Sequence, residues 1–163
     1  MTTRPAAQGL VERAAALGLT VATAESLTAG MVAAAIADVP GSSAVLRGGV
    51  VSYHNDVKHG LLGVDERLLA ERGSVDPVVA EQMASGARRA CGADYAVATT
   101  GVAGPAAHDG REVGTVYLGH AGPGGSGSRE LRLDGGRQEI RAAARDAALA
   151  LLGSLLPQAP PST

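Results

Sequence analysis

The chain has 163 residues, a formal net charge of −2 and an aromatic fraction of 2%, with three tyrosines and neither phenylalanine nor tryptophan. That length suits one domain with its own core, which must be built from aliphatic side chains and glycine. The charge offers no bulk attraction to phosphate backbones or anionic membranes, and so few rings argue against a stacking binder of single strands, so neither nucleic acid nor a membrane is expected as a partner.

The first element is a helix over residues 5–17, where Leu10, Ala14 and Leu17 share one side, Pro5 suits the first turn and Gly18 the stop. Residues 19–24 form a short, nearly continuous apolar run, as expected of a strand buried on both faces. A helix of small residues is expected over 28–37, before Pro40-Gly41, and a second strand over 44–53. Residues 56–62 read as a short helix, with another turn starting at Asp65. Asp76-Pro77 caps a strong helix over 77–91 that Gly92 stops. Strands are expected at 95–99, 113–120 and 128–133, the last two as an antiparallel hairpin, followed by a helix over 137–152.

Strands and helices alternate over the first two-thirds, so the expected fold is α/β, three layers with helices on both faces of a mixed, mostly parallel sheet. Residues 1–156 read as a single domain and 157–163 as a disordered tail. The one cysteine, Cys91, rules out an intramolecular disulfide and reads as a buried thiol. The N-terminus lacks the apolar core of a signal peptide and no segment reaches ~18 apolar residues, so the expected location is cytoplasmic.

Two segments carry chemistry. Ser26 lies where a buried strand gives way to a helix, and Lys58 follows the end of the next strand. A serine hydroxyl is a poor nucleophile until a base takes its proton, and a desolvated lysine serves as that base. Each residue also has an ordinary reading: Ser26 as a helix N-cap, with Thr28 or Glu25 as substitutes, and Lys58 as a solvated surface lysine. Asp56 would oppose a lowered lysine pKa if the two lie close in space. The four histidines have no metal-ligand spacing, so neither a catalytic metal nor a cofactor is expected.

The ordered blocks A-E-S-L-T-A-G (24–30), G-G-V-V-S-Y-H-N-D-V-K (48–58), T-T-G-V-A-G-P (99–105), V-G-T-V-Y (113–117) and G-G-R-Q-E-I-R (135–141) span nearly the whole chain. In this set the chain resembles the C-terminal domain family of the competence-damage-inducible protein CinA, which includes stand-alone nicotinamide-nucleotide amidases. The resemblance implies a three-layer α/β/α fold and hydrolysis of the carboxamide of nicotinamide mononucleotide to nicotinate mononucleotide and ammonia. It places the nucleophile on Ser26 and the base on Lys58. Ala29 stands where many members have glycine, and residues 106–111 lack the usual paired glycines.

With that substrate, Ser26, Lys58 and Tyr53 are the expected catalytic residues. Thr28, Gly30, Asn55, Thr100, Gly101 and Arg137 are the expected substrate contacts, with Arg137 as a clamp on the 5′-phosphate and Arg141 reinforcing a basic site. Arg137 reads equally as a surface arginine, and the glycines of 99–105 equally as a tight turn. The expected partner is a small pyridine nucleotide, and a homo-oligomer is compatible with the chain. The rival reading is a nucleotide-binding or regulatory module that keeps the pocket without turnover.

Overall fold

The computed structural model describes residues 3–158. The expected tail lies outside the described residues from 159 onward, and Pro157 and Gln158 carry no regular structure. In chain order the elements are α1 (Thr3–Leu17), β1 (Val21–Glu25), α2 (Met31–Ala37), β2 (Leu46–Val51), α3 (Asn55–Leu62), α4 (Glu66–Arg72), α5 (Pro77–Cys91), β3 (Tyr95–Gly101), β4 (Thr115–Gly122), β5 (Gly125–Arg132) and α6 (Arg137–Leu155).

The five strands form one sheet in the order β2-β1-β3-β4-β5. β1 is parallel to β2 and β3, whereas β4 is antiparallel to both β3 and β5. The hairpin is tighter than the sequence implies: Gly122 pairs with Gly125, so β5 begins three residues before the expected 128.

Alternation along the strands divides the core by side-chain size. Val21, Val97, Val116 and Leu118 share a cluster with Leu10 and Val11 of α1, Ile36 of α2 and Ile140 and Leu149 of α6. Ala22, Ala24, Ala96, Ala98 and Ala121 instead pack with Leu62 of α3, Leu69 of α4 and Met83 of α5. The architecture is therefore α1/α2/α6, sheet, α3/α4/α5, the expected three layers. The alanine face lets α5 lie close on the sheet, and a Cβ at Gly119 of β4 would collide with the Ala80 carbonyl of α5. This is how a chain almost without aromatic side chains fills its interior.

After β1 the chain crosses one face to β2; after β2 it crosses the other face to β3. The carboxyl ends of β1 and β3 therefore lie where the winding reverses. In open α/β sheets that crevice is where ligands bind.

The expected helix at 28–37 starts late, at Met31. Residues 26–30 form a turn in which Ala29 (φ 46°) and Gly30 (φ 100°) are both left-handed. An L side chain at such a position costs roughly 1–2 kcal/mol, which is why glycine is the easier residue at position 29. Ser26 is consequently not the cap of α2. The Glu25 carboxylate takes that role, accepting from Val32 N at 2.8 Å and Ala33 N at 3.0 Å.

Candidate active site

Ser26 follows the last residue of β1, and its amide donates to Thr99 O at 2.9 Å, which extends the β1–β3 pairing one step. The turn after it is pinned from two sides. Glu25, 1% exposed, holds the start of α2 and accepts the Thr28 hydroxyl at 2.7 Å. From the other face of the turn Arg141 of α6 donates from Nε to Leu27 O at 2.7 Å. The backbone amides of Leu27 and Thr28 have no acceptor among the described residues.

Lys58 sits on the inner face of α3 and is 1% exposed. Its Nζ donates to Ser26 Oγ at 3.1 Å, to Ser52 O at 2.7 Å and to Tyr53 O at 3.2 Å. Both carbonyls belong to the segment joining β2 to α3, so the two residues expected to extend β2 instead hold the amine. Burial lowers the Lys58 pKa from 10.5 to about 8, and the negative charge of Asp109 partly opposes this. Asp56, the acid expected to oppose it, has a side chain 92% exposed and faces His54.

The geometry assigns each position on the amine. An ammonium has three protons, and here it has three acceptors. When the proton facing Ser26 leaves, the two carbonyls retain the other two. The lone pair is then left directed at the Ser26 hydroxyl, the orientation a general base requires.

Ser26 opens into a cleft of about 380 Å³ lined by Leu27, Tyr53, Ser74, residues 101–108 and Arg137. Arg137 donates from Nη1 to Gly104 O at 2.7 Å and from Nη2 to Tyr53 Oη at 3.0 Å, so an exposed cation stands at the mouth.

Of the expected site residues, Ser26, Lys58, Tyr53, Gly101 and Arg137 come together here. The other four are elsewhere. The Thr28 hydroxyl is buried between Glu25 and Thr99 Oγ1, the latter at 2.7 Å. Thr100 is buried too, and its hydroxyl donates to Ser74 O at 2.6 Å. Gly30 directly precedes α2 and Asn55 opens α3, and neither lines the cleft. Arg141, expected to add positive charge to the site, is instead a brace on the Leu27 carbonyl.

The CinA C-terminal domain model matches residues 3–156. The chain belongs to that family. It is 48% identical over 153 residues to a CinA-like protein of Frankia casuarinae, covering 94% of this chain and 34% of the relative. It is 50% identical over 125 residues to one from Geobacter sulfurreducens, covering 76% of this chain and 30% of the relative. The chain thus spans about a third of the length of these curated relatives. Among solved structures, the competence/damage inducible protein CihA from Agrobacterium tumefaciens superposes with a TM-score of 0.90 at 40% identity, covering 94% of each chain. A competence-damaged protein (CinA) superfamily protein from Escherichia coli does so with a TM-score of 0.91 at 31% identity, covering 95% of this chain and 91% of that one.

In this CinA domain, sequence reasoning passed over one strong signal. Of the 14 basic residues, Lys58 is the only lysine; all the others are arginine. Arginine stays protonated at any working pH, whereas a buried lysine can release its proton. Ser74 and Asp109 were missed for a different reason. Ser74 lines the cleft and Asp109 holds Ser74, through tertiary contacts 26 and 35 residues apart along the chain that leave no local pattern.

Among the described residues no three His, Cys, Asp or Glu side chains converge in a metal-binding cluster, and no helix is long and apolar enough to cross a membrane.

Proposed function

We propose that this CinA domain is a metal-independent amidohydrolase that converts nicotinamide mononucleotide and water to nicotinate mononucleotide and ammonia. One observation carries the reading: the chain's single lysine is buried, its pKa is lowered, and it is hydrogen-bonded to Ser26 at the floor of a cleft. With a pKa of about 8, about a tenth of Lys58 is neutral at pH 7, against about one part in three thousand at 10.5.

Ser26 attacks the carboxamide carbon as its proton passes to Lys58. The Leu27 amide, which has no acceptor among the described residues, receives the developing oxyanion. Lys58 then hands its proton to the departing nitrogen, and ammonia leaves an acyl-enzyme. Water attacks that ester with Lys58 again as base, which releases the acid and restores Ser26. Arg137 at the mouth pairs with the 5′-phosphate, and Tyr53 holds the guanidinium in place.

Ammonia release from nicotinamide mononucleotide by the purified chain is the direct test. Thermal stabilisation by the nucleotide without ammonia release would favour the binding-module reading. The activity should survive exhaustive chelation, since no step uses a metal; loss with chelator and recovery with a divalent ion would contradict the mechanism.

Arg137→Ala should raise KM for nicotinamide mononucleotide roughly ten- to a hundredfold, the equivalent of ~1.5–3 kcal/mol for a charge-assisted contact. Turnover of plain nicotinamide, which has no phosphate, should be poor and unchanged by the substitution. An equal loss on both substrates would reduce Arg137 to a support for Tyr53 and Gly104.

A further inference from the structure

Glu25 stands next to Ser26, is buried, and takes no part in the proton transfers between Ser26 and Lys58. No cation pairs with it among the described residues. Four donors hold it instead. Oε1 accepts from Val32 N at 2.8 Å and from the Thr28 hydroxyl at 2.7 Å. Oε2 accepts from Ala33 N at 3.0 Å and from the Thr23 hydroxyl at 3.3 Å. Thr28 gives its one hydroxyl proton to Glu25, so in its 2.7 Å contact with Thr99 Oγ1 it accepts and Thr99 donates. Thr99 O in turn receives the Ser26 amide. The carboxylate thus ties β1, β3, the turn after Ser26 and the start of α2 to one point.

The turn held in this way has a use in the cleft. Ala29 N donates to Ser26 O at 3.1 Å and closes residues 26–29. In a trans peptide the C=O and N–H point in opposite directions. Ser26 O is directed into the turn, so Leu27 N–H, on the same peptide, is directed out of it, and Ser26 and Leu27 both line the cleft. Ala29 at φ 46° and Gly30 at φ 100° give the turn its left-handed exit. A helix begun at Thr28 would instead bond the Val32 and Ala33 amides to the carbonyls of residues 28 and 29, four positions back. Glu25 takes those two amides.

We propose that Glu25 is a positioning residue for the reaction: by taking the Val32 and Ala33 amides it fixes the left-handed turn at 26–30, and that turn aims the Leu27 N–H at the oxygen of the bound carboxamide. The proposal rests on the reading of Ser26 as the nucleophile of an amidase. The role needs a carboxylate. Each oxygen receives one backbone N–H and one hydroxyl. A hydroxyl can reverse its proton, whereas a backbone N–H cannot. Glutamine would set its own NH2 against the Val32 or the Ala33 amide whichever way it is turned.

Phenylboronic acid tests the aim without turnover. Ser26 Oγ adds to boron as its proton passes to Lys58; one O–B bond forms, nothing leaves, and the tetrahedral anion resembles the intermediate of amide attack. Boron NMR reads its Kd and its stoichiometry. In Glu25→Gln, kcat for nicotinamide mononucleotide should fall about a hundredfold, as a displacement of ~1 Å does, with KM near wild type. The boronate Kd should rise by a similar factor. A smaller folded population would lower kcat and the stoichiometry but leave Kd in place. Ala29→Gly added to Glu25→Gln should recover much of both losses, because glycine takes the left-handed conformation without steric cost. Thr28→Val removes one hydroxyl from Glu25 and leaves both amides. It should weaken the boronate several-fold, and it carries the test if Glu25→Gln does not fold.

An unchanged boronate Kd in folded Glu25→Gln or, failing that protein, in Thr28→Val overturns the positioning role. So does a loss of kcat that Ala29→Gly leaves unrelieved. A wild type that forms the boronate adduct and never releases ammonia removes the amidase reading instead, while a Kd raised in Glu25→Gln still assigns the aim of the turn to Glu25.

Discussion

Replacing Lys58 with methionine should reduce ammonia release by about 10²–10⁴-fold, the usual contribution of a positioned general base. The same substitution should erase a pH dependence of stability. The folded-state pKa is about 8 and the ordinary value 10.5. Below about 8 the amine is charged in both states and the fold bears the full burial penalty. Between about 8 and 10.5 the unfolded chain binds more proton than the folded one, so stability rises with pH. Above that window both states are neutral and the penalty is gone. The rise amounts to ~3 kcal/mol, at 1.36 kcal/mol per pKa unit. Denaturant unfolding at a series of pH values should show it in the wild type and not in Lys58→Met. A matching rise in both proteins would mean that another group is responsible. Lys58→Arg should be equally inactive, since guanidinium does not release its proton.

Ser26→Ala should lower turnover by at least about a thousandfold, as loss of a nucleophile does, and leave the fold intact. Since Glu25 and not Ser26 caps α2, the stability cost is confined to the Lys58–Ser26 hydrogen bond, about 1.5–3 kcal/mol for a charged donor. A typical domain with ~5–15 kcal/mol tolerates that loss. Wild-type rates from folded Ser26→Ala would remove Ser26 from the mechanism. Circular dichroism alongside the kinetics separates the two causes of inactivity.

The order of strands and helices was legible because each buried strand is a short aliphatic run and most helices end in capping residues or glycine. The layer arrangement followed from that alternation. The start of α2 was not legible. Composition favours helix from Thr28, but the Glu25 carboxylate draws the Val32 and Ala33 amides to itself and forces a left-handed turn first. A side chain reaching seven residues ahead leaves no periodic trace.

The candidate site divides along the same line. Ser26 and Lys58 stood out because a serine just after a buried strand and a lysine beyond the next one are the residue types a serine–lysine reaction would use, and the structure brings the two side chains to 3.1 Å. The hydroxyls of Thr28 and Thr100 turn inward because a hydroxyl beside a site serves the interior as readily as a ligand, and only the tertiary contacts of Thr28 with Thr99 and of Thr100 with Ser74 O decide between them. The roles of Arg137 and Arg141 could not be told apart either. Four residues apart on one helix, the first reaches the cleft mouth and the second the back of the Ser26 turn.

That last contact spans 114 positions. The Ser26 hydroxyl and the Lys58 amine lie 32 positions apart, but the turn that presents the hydroxyl is braced from α6. A fragment that ends before Arg137 would therefore keep both side chains and lose the brace behind one of them, so contact between the two ends of this domain belongs to the local geometry of its cleft.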